Sequence, residues 1–105
     1  MPTEKPLKMY VLVRRDLSET YRNVQAVHAV AQYSLEGDQE LYRRWGNSTL
    51  VHLAVGNLGS LRRWADTLEE KGKKFVPFKE PDLDDQITAI ACVDTGEIFK
   101  KLPLA

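Results

Sequence analysis

The chain has 105 residues, with 15 basic and 15 acidic side chains and a formal net charge of zero at pH 7. This length suits one domain with a substantial core and is too short for two independent cores, while charge balance leaves no overall field to attract nucleic acid. No apolar stretch approaches the roughly 20 residues that span a bilayer, and no basic segment followed by an apolar run opens the chain, so a cytoplasmic protein that is neither exported nor membrane-inserted is expected. Cys92 is the only cysteine, which rules out an internal disulfide and fits a reduced compartment. The two histidines, His28 and His52, fall on different elements with no thiol cluster, and no metal or other cofactor is expected.

Residues 1–7 contain Pro2 and Pro6 and read as a loose arm ahead of a single domain over residues 8–105. The unbroken apolar run from Met9 to Val13 predicts a strand from about Lys8 to Arg14, covered on both faces. A helix from about Ser18 to Glu36 follows, with Ser18 as cap, Glu19 at the positive end of the dipole and Gly37 as its stop. Val24, Val27, Ala31 and Leu35 recur at helical spacing and predict its core stripe, while Tyr21, Gln25, His28 and Gln32 form a polar row on an adjoining face.

Asp38 is placed to cap a short helix through Arg44 that ends at Gly46. The β-rich segment Thr49 to Val55 leads through a turn at Asn57, Leu58, Gly59 and Ser60 into a helix from about Leu61 to Lys71, whose packing face is Leu61, Trp64, Ala65 and Leu68. Lys74 to Lys79 predicts a third strand, and Pro77 argues that it lies at an edge or carries an irregularity. An acidic loop over residues 80–86, a fourth strand from Ile87 to Asp94 and a short helix from Thr95 towards Lys101 complete the chain. Strands alternating with helices predict an α/β fold: a small four-stranded mixed sheet with helices on both faces. The first three strands are expected to be parallel neighbours and the fourth antiparallel.

In open α/β sheets ligands bind beyond the carboxyl ends of strands, which directs attention to Arg14, Arg15 and Asp16. Asp16 suits a general base or positioning group, although taken alone an Asp at this place more commonly caps a loop. His28 can exchange protons near neutral pH or simply pack on its helix, and Gln25 offers a donor and an acceptor to a substrate or to the fold. Arg22 could hold a phosphate or pair with Asp16 or Glu19. Arg62 and Arg63 oppose the dipole at a helix start, which pairing of Arg62 with Asp66 would relieve. Cys92 and His52, set among apolar neighbours, read as structural. Residues 1–63 hold nine basic against six acidic side chains and residues 64–105 the reverse, so a local basic face is compatible with neutrality.

Two motifs together resemble the class II, archaeal and eukaryotic-type peptidyl-tRNA hydrolases, and in particular their divergent branch of peptidyl-tRNA hydrolase domain-containing proteins. Val13, Arg14, Arg15, Asp16 and Leu17 match the Val-Arg-x-Asp-Leu with which the first strand of that family ends, and Gln25, Ala26, Val27, His28 and Ala29 match its Gln-x-x-His-Ala. The similarity in element order runs through the terminal Lys100, Lys101 and Leu102. The chain departs from the family where a Gly-Lys-Gly-Lys stretch would precede the Gln: Tyr21 stands in the place of the functional Lys. The later Asp-Ala-Gly-Arg-Thr-Gln segment is reduced to Glu80 through Gln86, with Glu80 in the place of the Asp and no counterpart of the Thr.

The resemblance implies hydrolysis of the ester between a peptide and tRNA, with catalytic roles for Asp16 and His28 and substrate contacts from Gln25, Arg14, Arg15, Arg22 and Glu80. It also implies a tRNA or peptidyl-tRNA partner and a homodimer. Loss of the Lys and Thr fits an alternative, an inactive RNA- or protein-binding module on the same fold. A small ester or amide hydrolase unrelated to tRNA is the third expectation.

Overall fold

The computed structural model describes residues 5–105; Pro2 and most of the expected arm lie outside the described residues. Within the arm, Lys5, Pro6 and Leu7 have no regular structure, but Lys5 forms an ion pair with Glu97 and Leu7 packs on the core. The elements in chain order are β1 (Lys8–Arg14), α1 (Glu19–Glu36), α2 (Gln39–Trp45), β2 (Leu50–Val55), α3 (Leu58–Glu70), β3 (Phe75–Glu80) and β4 (Gln86–Asp94). Single 3-10 turns occur at Pro81–Leu83 and Glu97–Phe99.

The sheet order is β2-β1-β4-β3, with β1 parallel to β2 and β4 antiparallel to both β1 and β3. The protein is therefore α/β with a four-stranded mixed sheet. β3 is not a hydrogen-bonded neighbour of β1 or β2, contrary to the parallel trio predicted above, because β4 inserts between β1 and β3. β3 lies at the edge, where Pro77 leaves no ladder donor wasted.

Side-chain alternation divides the apolar run of β1 between two cores. Met9, Val11 and Val13 face α1 and α2 with Ala29, Tyr33, Trp45, Ala89, Ala91 and Val93. Tyr10 and Leu12 face α3 with Leu53, Val55, Leu61, Leu68, Ile90, Cys92 and Phe99. Burial pushes the Cys92 thiol up to about 12, so it behaves as a small core residue.

The predicted core stripe of α1 is wrong. Val27 is 69% and Leu35 77% exposed, and Val24 and Ala31 are exposed too, whereas Gln25, Ala29 and Tyr33 are buried. Apolar spacing selected the outward face because the buried face is anchored by a polar residue, Gln25. α3 begins one turn earlier than predicted because Asn57 is its cap, its Oδ1 accepting from the Ser60 N–H at 3.0 Å. The expected final helix is only a 3-10 turn followed by the tail, in which the Ala54 N–H donates to the Pro103 carbonyl and the Ala105 N–H to the His52 carbonyl, each at 2.9 Å. The tail thus runs along the outer edge of β2. Arg62 forms no ion pair with Asp66 among the described residues.

Candidate functional site

At the end of β1 the Arg15 N–H still donates to the Val55 carbonyl of β2 at 2.7 Å, and the chain then turns over Asp16 and Leu17 to Ser18, whose hydroxyl accepts from the Tyr21 N–H at 3.2 Å. This turn leaves the Arg14 side chain inside the sheet end, where a charge must be paired. Its Nε and Nη2 donate to the two carboxylate oxygens of Asp16 at 3.0 and 2.8 Å, and its Nη1 donates to Gln86 Oε1 at 2.9 Å and the Ile87 carbonyl at 3.4 Å. The bidentate clamp fixes Asp16 in one orientation. Hydrogen bonds from Arg14 hold the Asp16 carboxyl below its usual value, while 41% of its side chain stays exposed.

A second cluster forms on the face of α1 turned towards β3 and β4. Gln25 is 0% exposed; its Nε2 donates to Glu80 Oε1 at 2.9 Å, and its Oε1 accepts from the Thr88 hydroxyl at 2.5 Å. The Tyr21 hydroxyl also donates to Glu80 Oε1, at 3.4 Å, and the other Glu80 oxygen accepts from the Asp82 N–H at 3.4 Å. The Gln25 hydrogen bond, aided by the Asp82 amide and the positive field of His28, holds the Glu80 carboxyl below its usual value. Burial and the Glu80 charge raise the Tyr21 phenol.

The two clusters adjoin because Glu80 pairs opposite Gln86 across β3 and β4. A bulge makes the second one possible. The register passes from Phe78 opposite Ala89 to Lys79 opposite Ile87, so Thr88 is an extra residue that turns its hydroxyl to α1 on the same side as Ala89. His28 stands beside this network on the surface, its ring stacked on Phe78 with centroids 4.6 Å apart and planes 3° apart.

The structure thus gathers Arg14, Asp16, Tyr21, Gln25 and Glu80, with His28 at the margin. Gln25, expected to contact substrate, is sealed in and spends both ends of its amide on Thr88 and Glu80. Arg15 is exposed at the rim. Arg22 is not part of the network and pairs with neither Asp16 nor Glu19: it is close enough to His52, on β2, to help burial push that imidazole below its ordinary value. Thr88 had no signal in the sequence, because its role depends on a bulge that alternation alone would not place.

An apolar concavity lies on the opposite side of α1, not at this network. It is a groove of about 470 Å³ between α1 and β2, lined chiefly by Ala26, Val27, Val30, Tyr42, Leu50 and His52. Among the described residues no three His, Cys, Asp or Glu side chains are grouped to hold a metal ion, and no helix is long and apolar enough to cross a membrane. In comparisons with known proteins, no family model and no curated protein matches the chain.

Proposed function

We propose that the Arg14–Asp16 and Gln25–Glu80 network is the working centre of a divergent class II peptidyl-tRNA hydrolase-like protein, which cleaves the ester joining a peptide to the terminal ribose of tRNA. The observation that carries this reading is the convergence of both motif segments at one sheet end, with Asp16 clamped by Arg14 yet open to solvent on one edge.

In this reading the exposed edge of Asp16 orients the attacking water. A carboxylate already stabilised by an arginine is a weak proton acceptor, so His28, stacked on Phe78 with the Glu80 carboxylate near enough to balance its charge, takes the proton of the water and returns it to the ribose oxygen as the ester bond breaks. Arg15, on the rim, meets phosphate. Gln25, Arg14 and Thr88 do not touch substrate; they hold Glu80 and Asp16 in position. The same centre supports a homodimeric enzyme or a monomeric one.

The test is turnover of a peptidyl-tRNA by purified protein, with Asp16→Ala and His28→Ala each lowering kcat by about 10²–10⁴-fold. Turnover that ignores both substitutions would remove the assigned centre. Absence of turnover by the unaltered chain would favour the second reading, a binding module of the same fold. That reading is supported by the sealing of Gln25 and by Tyr21, neutral and engaged with Glu80, in the place of a lysine. Binding of tRNA without turnover should then weaken steeply with salt as phosphate contacts release counterions.

A further inference from the structure

The sheet has two outer edges, and they are closed to further strands in different ways. β3 protects itself: Pro77 lacks a donor, the register shifts between Phe78 and Lys79, and Lys79 and Glu80 bring charge to the strand. β2 has none of these devices. Its residues, Leu-Val-His-Leu-Ala-Val, include no proline, lysine, arginine or acidic side chain, and they pair with β1 in unbroken register. The Thr49 and Val55 carbonyls accept from β1, so by alternation Leu50, His52 and Ala54 turn their backbone groups outward. Such an edge is a ready template for another strand.

It is covered by residues 103–105, which run antiparallel to β2 with Leu104 opposite Leu53. They are lightly held. The Ala54 N–H donates to the Pro103 carbonyl and the Ala105 N–H to the His52 carbonyl, each at 2.9 Å, but Pro103 has no N–H to return to the Ala54 carbonyl. Leu104 is 75% exposed and adds little burial, whereas Leu102, just before the segment, packs on the α3-side core. The segment is thus anchored at Leu102 and held beyond it by little more than two backbone hydrogen bonds.

We propose that residues 103–105 are a releasable strap that keeps β2 from pairing with β2 of a second copy of the chain. The strap lies where that copy would lie and occupies backbone groups the copy would need. Antiparallel pairing of two β2 strands is two-fold symmetric; with His52 opposite its counterpart and Leu50 opposite Ala54, it satisfies all the outward groups of these residues. No lysine, arginine or carboxylate meets its like in that arrangement. The strap competes because it is tethered, with an effective concentration that a separate copy must exceed. Strap and edge share no residue with the Arg14–Asp16 and Gln25–Glu80 network and act whether or not that network is catalytic.

The experiment combines amide hydrogen exchange with sedimentation of the full chain. The Ala54 amide, bonded to the strap, should exchange at least about tenfold faster than the Leu53 amide, which faces β1. Ala105→Pro removes one strap donor at a position that core packing does not use. It should speed Ala54 exchange further in dilute protein and, at high concentration, raise the association state above that of the unaltered chain. Adding Leu50→Lys, a charge at an exposed position of the edge, should reverse the association and leave the fast Ala54 exchange in place. Ala54 exchange as slow as that of Leu53, or unchanged by Ala105→Pro, would overturn the inference, because residues 103–105 would then be a fixed part of the sheet. So would faster exchange in Ala105→Pro without added association, association that survives Leu50→Lys, or an unaltered chain already assembled through an edge that Leu50→Lys disrupts.

Discussion

The two flanks of α1 bury polar atoms in opposite ways. On the flank facing β4, Gln25 spends its whole amide on Glu80 and Thr88, and Arg14 spends its guanidinium on Asp16, Gln86 and Ile87. On the flank facing β2, Arg22 and His52 bury nitrogen atoms that have no partner at all. A closed network is a scaffold: it fixes the groups at its margin, Asp16 and His28, but has little left to offer a ligand. The unsatisfied flank has lost hydration and recovered nothing from the protein, so it carries a cost that the closed flank avoids.

Of the two flanks of α1, the closed one should show the larger effect when broken. Gln25→Leu keeps much of the volume but strands the Thr88 hydroxyl and removes the main donor to Glu80, so it should cost about 2–4 kcal/mol in urea denaturation. Adding Thr88→Val should recover part of that loss, since a pair removed together leaves less unsatisfied than one removed alone. A loss below about 1 kcal/mol for Gln25→Leu would show the network to be far looser than its geometry indicates.

Arg14→Met comes next, at about 1.5–3 kcal/mol, because it strands Gln86 and the Ile87 carbonyl. It should also let the Asp16 carboxyl rise towards its ordinary value of 3.8, a change that an NMR titration of the carboxyl carbon reads directly. An Asp16 titration that stays depressed in Arg14→Met would mean that something other than the clamp holds its charge.

These residues also mark how far the sequence could be read. The positions of β1, α1 and β2, the capping residues Ser18 and Asp38 and the edge status of β3 were all legible, since each depends on local chemistry: an apolar run, an oxygen before a helix, a proline in a strand. The partner of β3 was not, because strand order is decided by which connections pack, and β4 entering between β1 and β3 leaves no local trace. The buried face of α1 was misread for a related reason. Hydrophobicity assigns Val24, Val27, Ala31 and Leu35 to the core, yet a glutamine with two well-placed partners, Glu80 on β3 and Thr88 on β4, outweighs them. Of the candidate site, the two motif segments could be found in the sequence, but the sealing of Gln25, the withdrawal of Arg22 and the bulge at Thr88 all follow from tertiary register.

On the open flank the expected effects are smaller. The folded His52 titrates below its unfolded value because burial and Arg22 disfavour its charged form. The unfolded chain therefore takes up this proton first as pH falls, so stability should decline as pH drops through the ordinary imidazole value of 6.5, and the contribution is complete only above it. The Asp16 and Glu80 contributions behave alike but in a lower window, being lost as pH falls through the carboxylate range. Denaturation midpoints followed from pH 8 to pH 5 should show the first decline alone, and His52→Gln should flatten it.

The smallest effect is the one that separates the two faces of α1 most sharply. If Val27 were core, replacing it with a polar residue would cost several kcal/mol; being 69% exposed, Val27→Gln should change stability by no more than about 0.5 kcal/mol. Leu68→Ala, on the buried face of α3, should cost about 2–5 kcal/mol in the same assay, because it opens a cavity where no solvent reaches. A large loss for Val27→Gln in dilute monomer would mean that the exposed stripe of α1 is covered in solution by part of its own chain. A loss that grows with protein concentration would instead mean that a second copy covers it, since only an assembled interface draws stability from mass action.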